Sequence, residues 1–152
     1  MKGVSRVIDH KFIGKEYEPT GYEIGREKMR EYARATGDGN PLIMDNEAGK
    51  ASEYGDCVAP PVFASVYNLM GAAQLFFDPE VKLNMAMLVH GEQEFEFIKP
   101  VKPGDVIKTT GKIADIMEKG NNDLVVYEAR SVNQDGELVT VGRALFFIRG
   151  GN

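Results

Sequence analysis

The sequence predicts an α+β domain in which an antiparallel sheet wraps around a long central helix. Three observations lead there. Apolar residues recur at the helical period of 3.6 up to about residue 77, then alternate with a period of two from about residue 85. The stretch 62–77 is apolar on nearly every side, as expected of a helix enclosed by the rest of its domain. Turn-forming clusters follow at 102–105, 119–122 and 133–136, the spacing of strands joined by tight connections.

Tyr22 and Ile24 read as a short extended piece, and 26–35 as an amphipathic helix with Met29, Tyr32, Ala33 and Thr36 on one stripe. The run Gly37, Asp38, Gly39, Asn40, Pro41 then stops that helix, because the proline pushes Asn40 out of the helical region. Asp45 is placed to cap a second short helix over 46–54, with Glu47 in its first turn and Gly55 past its end. Ala59-Pro60-Pro61 leads into the central helix, where proline suits the first turn. In the first strand of the second half, Val89, Gly91, Gln93, Phe95 and Phe97 are expected on the buried face and His90, Glu92, Glu94 and Glu96 on the wet one. Strands at 106–117, 124–132 and 138–149 complete an expected antiparallel meander, and no linker or repeat divides the single domain expected over 1–152.

Bulk composition narrows the function classes. Hydrophobic residues at 43% and charged residues at 27% describe a folded globular chain with one real core. A net charge of −5, with lysines and arginines scattered among acids, argues against nucleic acid as a partner. The single cysteine, Cys57, reads as a small buried residue and permits no internal disulfide. The 1–18 stretch does not read as a signal peptide, and 60–77 reads as a core helix rather than a membrane span, so a cytoplasmic setting is expected. Two distant histidines, His10 and His90, and one cysteine predict no metal site. Gly37 to Gly39 matches neither a dinucleotide fingerprint nor a phosphate-binding loop, so no cofactor is expected.

The run Ala35-Thr36-Gly37-Asp38-Gly39-Asn40-Pro41-Leu42-Ile43-Met44-Asp45 resembles the hydratase motif of the MaoC-like hydratase/dehydratase family: small, Gly, Asp, any, Asn, Pro, apolar, His, any, Asp. Tyr54-Gly55 through Ala59-Pro60-Pro61-Val62-Phe63 resembles the loop entering the central helix in the N-terminal, FAS1-like dehydratase branch. The runs His90-Gly91-Glu92-Gln93-Glu94-Phe95-Glu96-Phe97 and Lys99-Pro100-Val101-Lys102-Pro103-Gly104-Asp105 match the same branch, so the resemblance spans 15–149. It implies a hot-dog fold, paired subunits with the site at their interface, and reversible addition of water to a 2-enoyl thioester of coenzyme A or acyl carrier protein.

That chemistry needs a base for water, an acid for the α-carbon and donors for the charge on the thioester oxygen. The resemblance implies an Asp, a His five residues later, and an amide at the start of the central helix. Asp38 and Asn40 match the motif, but Ile43 stands at the histidine position and cannot transfer a proton. Pro61 falls where the amide-bearing glycine is expected, and proline has no N–H. Relatives built from two unlike hot-dog subunits divide the labour between a catalytic and an acyl-binding chain, and this sequence resembles the second kind.

Asp38 is read as equally suited to holding its own turn and to residual chemistry, and Asn40 mainly as turn material. His90 is a possible substitute acid/base, though a strand histidine is more often structural. Phe63, Tyr67, Met70 and Phe76 are core residues first, some of them acyl-lining candidates by resemblance, and Asn40, Ile43, Pro61 and Val62 complete the substrate-binding candidates that the resemblance implies. Lys99 and Lys102 are solvated lysines that could meet a coenzyme A phosphate. Thioesterase activity is disfavoured, since no Asp or Glu occurs in 61–77. Three readings follow: an acyl-binding subunit of a heteromeric hydratase, a homomeric hydratase using Asp38 with another group such as His90, or an acyl-thioester-binding protein without turnover. Either a homodimer or a heterodimer with a second hot-dog subunit is expected, partly because one such sheet leaves open edges.

Overall fold

A computed structural model describes residues 8–150, so residues 1–7 of the stretch weighed above as a leader lie outside the described residues. After a 3-10 turn at His10–Phe12, strand β1 (Thr20–Glu23) leads to helix α1 (Arg26–Thr36). Gly37 ends α1 in the left-handed region at φ 73° and closes its last turn on the Ala33 and Arg34 carbonyls, a conformation that suits glycine. Two short helices follow, α2 (Pro41–Met44) and α3 (Asn46–Ala51). The Asn40 side chain accepts the Leu42 N–H to start α2, and Asp45 accepts from Glu47 and Ala48 to start α3. The sequence reading missed α2 because it treated Pro41 only as a breaker, whereas proline at a first helical position needs no donor. It also carried α3 three residues too far, since Ser52 turns back on the Gly49 carbonyl.

The central helix is not continuous. A 3-10 turn at Pro61–Phe63 opens into α4 (Ala64–Leu69), and α5 (Ala72–Phe76) follows after Met70 and Gly71. At that break the Ala73 and Gln74 N–H groups reach back three residues, to Met70 and Gly71, instead of four. Gly71 lies against the Tyr127 hydroxyl, which would stand 2.6 Å from a Cβ there, so the helix tightens over a side chain from the sheet. Nor is the helix enclosed on all sides. Met70 and Phe77 are 44% and 77% exposed, because among the described residues no layer covers the face away from the sheet.

Strands β2 (Leu88–Phe97), β3 (Val106–Lys119), β4 (Asn122–Val132) and β5 (Leu138–Ile148) join β1 in one antiparallel sheet of order β1-β3-β4-β5-β2. The expected meander therefore holds only for β3 to β5. The chain crosses the sheet after α5, so β2 pairs with β5 at the far edge, from Leu88 opposite Ile148 to Phe97 opposite Thr140. A bulge at Gly91 shifts that register, and the adjacent Phe147 ring occupies the space a Cβ would need there. The shift and the edge position explain why Val89 and Phe97 are half-exposed rather than buried as the alternation predicts.

Two apolar clusters fill the space between helices and sheet. One gathers Leu75, Tyr127, Phe146 and Ile148 beneath α5. The other gathers Ile24, Met29, Cys57, Phe63, Tyr67 and Val139 beneath α1 and α4. Among the described residues no helix is long and apolar enough to cross a membrane.

Candidate functional site

A cavity of about 380 Å³ opens beside the start of the central helix. Its size falls in the range of small-molecule sites. The turn between α1 and α2 contributes Asp38 and Asn40, α2 contributes Leu42 and Ile43, and the entry to the central helix contributes Pro60 and Pro61. The strap 97–101 closes another side, and Tyr67 of α4 with Thr140 of β5 forms part of the inner wall.

Local sequence fixes each of these. The Asp38 carboxylate accepts the Asn40 N–H through Oδ1 at 3.1 Å, and Asn40 Oδ1 in turn accepts from Leu42 at 3.0 Å. No protein donor is described at Asp38 Oδ2. Ile43, only 2% exposed, fills the wall at the motif's histidine position. The loop carrying Tyr54 and Val58 is held by Arg26, whose two guanidinium nitrogens each donate to Asp56 at 2.9 Å. That hydrogen-bonded pair holds the Asp56 carboxyl below its ordinary value. Gly49 lies so close to this loop that a Cβ would stand 2.5 Å from the Cys57 nitrogen. Backbone bonds from Val58 to the Leu42 carbonyl and from Ala59 to the Val101 carbonyl tie both sides of the opening together.

The wall at Tyr67 and Thr140 is polar although it is buried. The two hydroxyls lie 2.7 Å apart in residues 3% and 1% exposed. Burial pushes the Tyr67 phenol above its ordinary value, against the effect of the Thr140 hydrogen bond, so it is protonated at neutral pH. The neighbouring Asn68 amide donates to the Ala129 carbonyl and to Ser131, which shares a hydrogen bond with Thr109, pinning α4 to the sheet.

Of the residues singled out from sequence, Asp38, Asn40, Ile43, Pro61 and Tyr67 share this cavity. Val62 does not line it; it is 50% exposed and its carbonyl accepts from Tyr32. Phe63 lies behind the wall, fully buried between Tyr22, Tyr32 and Tyr67. His90 lies seven positions before Phe97 on the same strand, about 23 Å at roughly 3.3 Å per residue. There its ring packs on Phe146 and shares a hydrogen bond with the Glu92 carbonyl. Lys99 lines the cavity and pairs with Glu137, whereas Lys102 donates to the Tyr54 carbonyl at 2.8 Å. Sequence reasoning missed Thr140, because a threonine inside an alternating strand carries no signal until its register against α4 is known.

A five-stranded antiparallel sheet cradling a central helix is the hot-dog fold. The chain matches the FAS1-like, dehydratase domain region over residues 11–141. It is similar to a UPF0336 protein of Saccharopolyspora erythraea, 39% identical over 144 residues that cover 94% of this chain and 92% of the relative. Among solved structures it resembles the C-terminally truncated HadBC (3R-hydroxyacyl-ACP dehydratase) complex of Mycobacterium tuberculosis, with a TM-score of 0.79 and 28% identity over 95% of this chain and 99% of that one. The R-hydratase PhaJ1 of Pseudomonas aeruginosa shares the fold, with a TM-score of 0.71 and 21% identity over 92% of this chain and 83% of that one. The protein therefore belongs to the FAS1-like dehydratase branch of the hot-dog hydratases and dehydratases.

Proposed function

We propose that this chain is the acyl-binding subunit of a heteromeric hydratase/dehydratase acting on 2-enoyl or 3-hydroxyacyl thioesters. The observation that carries the reading is the cavity wall: an aliphatic Ile43 at the acid/base position and Pro61 at the amide position, beside an otherwise intact Asp38–Asn40 turn. In hydration, a base takes a proton from water as its oxygen bonds to the β-carbon. An acid then protonates the α-carbon while donors hold the charge on the thioester oxygen. In this reading a second hot-dog subunit supplies the base, the acid and the amide, and this chain holds the acyl group. The similarity to a complex described as a 3R-hydroxyacyl-ACP dehydratase supports such a division of labour. Either a coenzyme A or an acyl carrier protein thioester fits the reading.

The test is reconstitution. Hydration of crotonyl-CoA is measured for this chain alone, for a second hot-dog subunit with an intact Asp and His, and for their mixture. The reading expects activity in a stable mixed complex well above either part. Absence of both complex and gain overturns it.

A second reading has one observation in its favour: the Asp38 carboxylate lines the cavity with one oxygen fixed by Asn40 and the other without a described protein donor. In that reading the chain alone hydrates enoyl thioesters with Asp38 as base. Activity of the isolated chain that disappears in Asp38→Asn would select it.

A further inference from the structure

We propose that the buried Tyr67–Thr140 pair supplies a hydrogen-bond donor to the acyl chain and selects chains that carry an oxygen beyond the thioester. The inference rests on the cavity being an acyl-thioester site. Each hydroxyl owns one hydrogen, and each oxygen can also accept. Their mutual bond at 2.7 Å consumes one of the two, whichever residue donates. Among the described residues neither oxygen forms another hydrogen bond. One O–H therefore remains unused, in a pair that belongs to the cavity's inner wall and is 3% and 1% exposed even with the cavity empty.

Position assigns this donor to the acyl chain. Asp38 and Asn40 lie at the more exposed side of the cavity, and Tyr67 is six residues past Pro61, about 9 Å along the helix and on the inner wall. A plain alkyl chain lying over the pair leaves the unused O–H without an acceptor, a difference of about tenfold in affinity from a chain that supplies one. A hydroxyl or carbonyl oxygen on the chain at that depth would instead accept the hydrogen.

The substitutions Tyr67→Phe and Thr140→Val remove the oxygens with little change of shape, and apolar replacement of both partners is close to neutral for folding. Each single variant still leaves one O–H without an intramolecular partner, and only the double variant leaves none. Titration calorimetry would compare hexanoyl-CoA, the 4-, 5- and 6-hydroxyhexanoyl-CoA series, and the thioether S-hexyl-CoA. In the wild type at least one hydroxylated chain should bind about tenfold tighter than hexanoyl-CoA. The single variants should keep a preference, and the double variant should lose it. If hydroxylated and plain chains bind with the same ratio in wild type and double variant, the inference fails and the acyl site stands. If instead the double variant loses only the preference for thioester over thioether, the donor serves the thioester oxygen and the assignment to the chain is wrong. If the wild type binds none of these ligands, the acyl-site reading itself falls, and this inference with it.

Discussion

Replacing Ile43 by histidine should give this chain an acid/base pair of its own. The position is 2% exposed and opens onto the cavity that Asp38 also lines. Full burial of an isoleucine side chain contributes about 1.5–3 kcal/mol, and an imidazole fills much of the same volume while leaving a polar edge to satisfy. A loss of about 2 kcal/mol follows, which for a chain of this length lowers Tm by roughly 4–8 °C. Positioned proton transfer contributes about 10²–10⁴ in rate, while one missing oxyanion donor costs about 10²–10³. Ile43→His alone should therefore bring measurable but weak hydration of crotonyl-CoA, and adding Pro61→Gly, which restores an N–H, should raise it about a hundredfold further. Steady-state absorbance of the enoyl group reports both, with Asp38→Asn as the control that abolishes the gain. A folded double variant with no activity would refute the inference that these two side chains are what this cavity lacks.

Other expectations concern the frame that holds the cavity. Gly142→Ala places a Cβ 2.0 Å from Asn68 Oδ1, so it should destabilise by about 3 kcal/mol, and Asn68→Ala in the same chain should recover part of that loss in a double-mutant cycle by urea unfolding. Asp45→Ala removes the cap of α3 and should cost about 1 kcal/mol by the same measurement. On the outer face of the sheet Glu94, Arg143, Glu128 and Lys112 stand side by side across four strands, and Arg143 donates to Glu128 at 2.9 Å. Burial raises the Glu128 carboxyl, but Arg143 and Lys112 outweigh it and hold the group below its ordinary value of 4.5. Because the folded form binds this proton less readily than the unfolded one, the stabilisation is present above pH 4.5 and is lost as pH falls through the lower folded value. Thermal unfolding from pH 7 downward should show a shallower acid loss in Glu128→Gln than in the wild type; parallel curves would contradict this.

Local chemistry explains what the sequence made legible. Gly37, Asn40 and Asp45 act through bonds to backbone only a few residues away, so their roles were readable in one dimension. The Asp38–Asn40–Ile43 cluster was readable because one turn and one helical turn bring it together. The break at Gly71 was not, since its cause is Tyr127, far along the chain. The position of β2 beside β5 was hidden for the same reason: an alternating strand states which face is apolar but not which neighbour it meets. Thr140 became a candidate only once register placed it against Tyr67. His90 lies toward the opposite end of β2 from Phe97, a placement that the run of family-like residues does not reveal.

The central claim is that the space around Ile43 receives an acyl chain. Titrating hexanoyl-CoA into the isotope-labelled protein while following isoleucine methyl resonances by NMR tests it most directly. A saturable shift is expected at Ile43, with the methyls of Ile113 and Ile148 in the core cluster beneath α5 staying nearly fixed. Binding that moves other resonances but leaves Ile43 in place, or no binding at millimolar ligand, would contradict it.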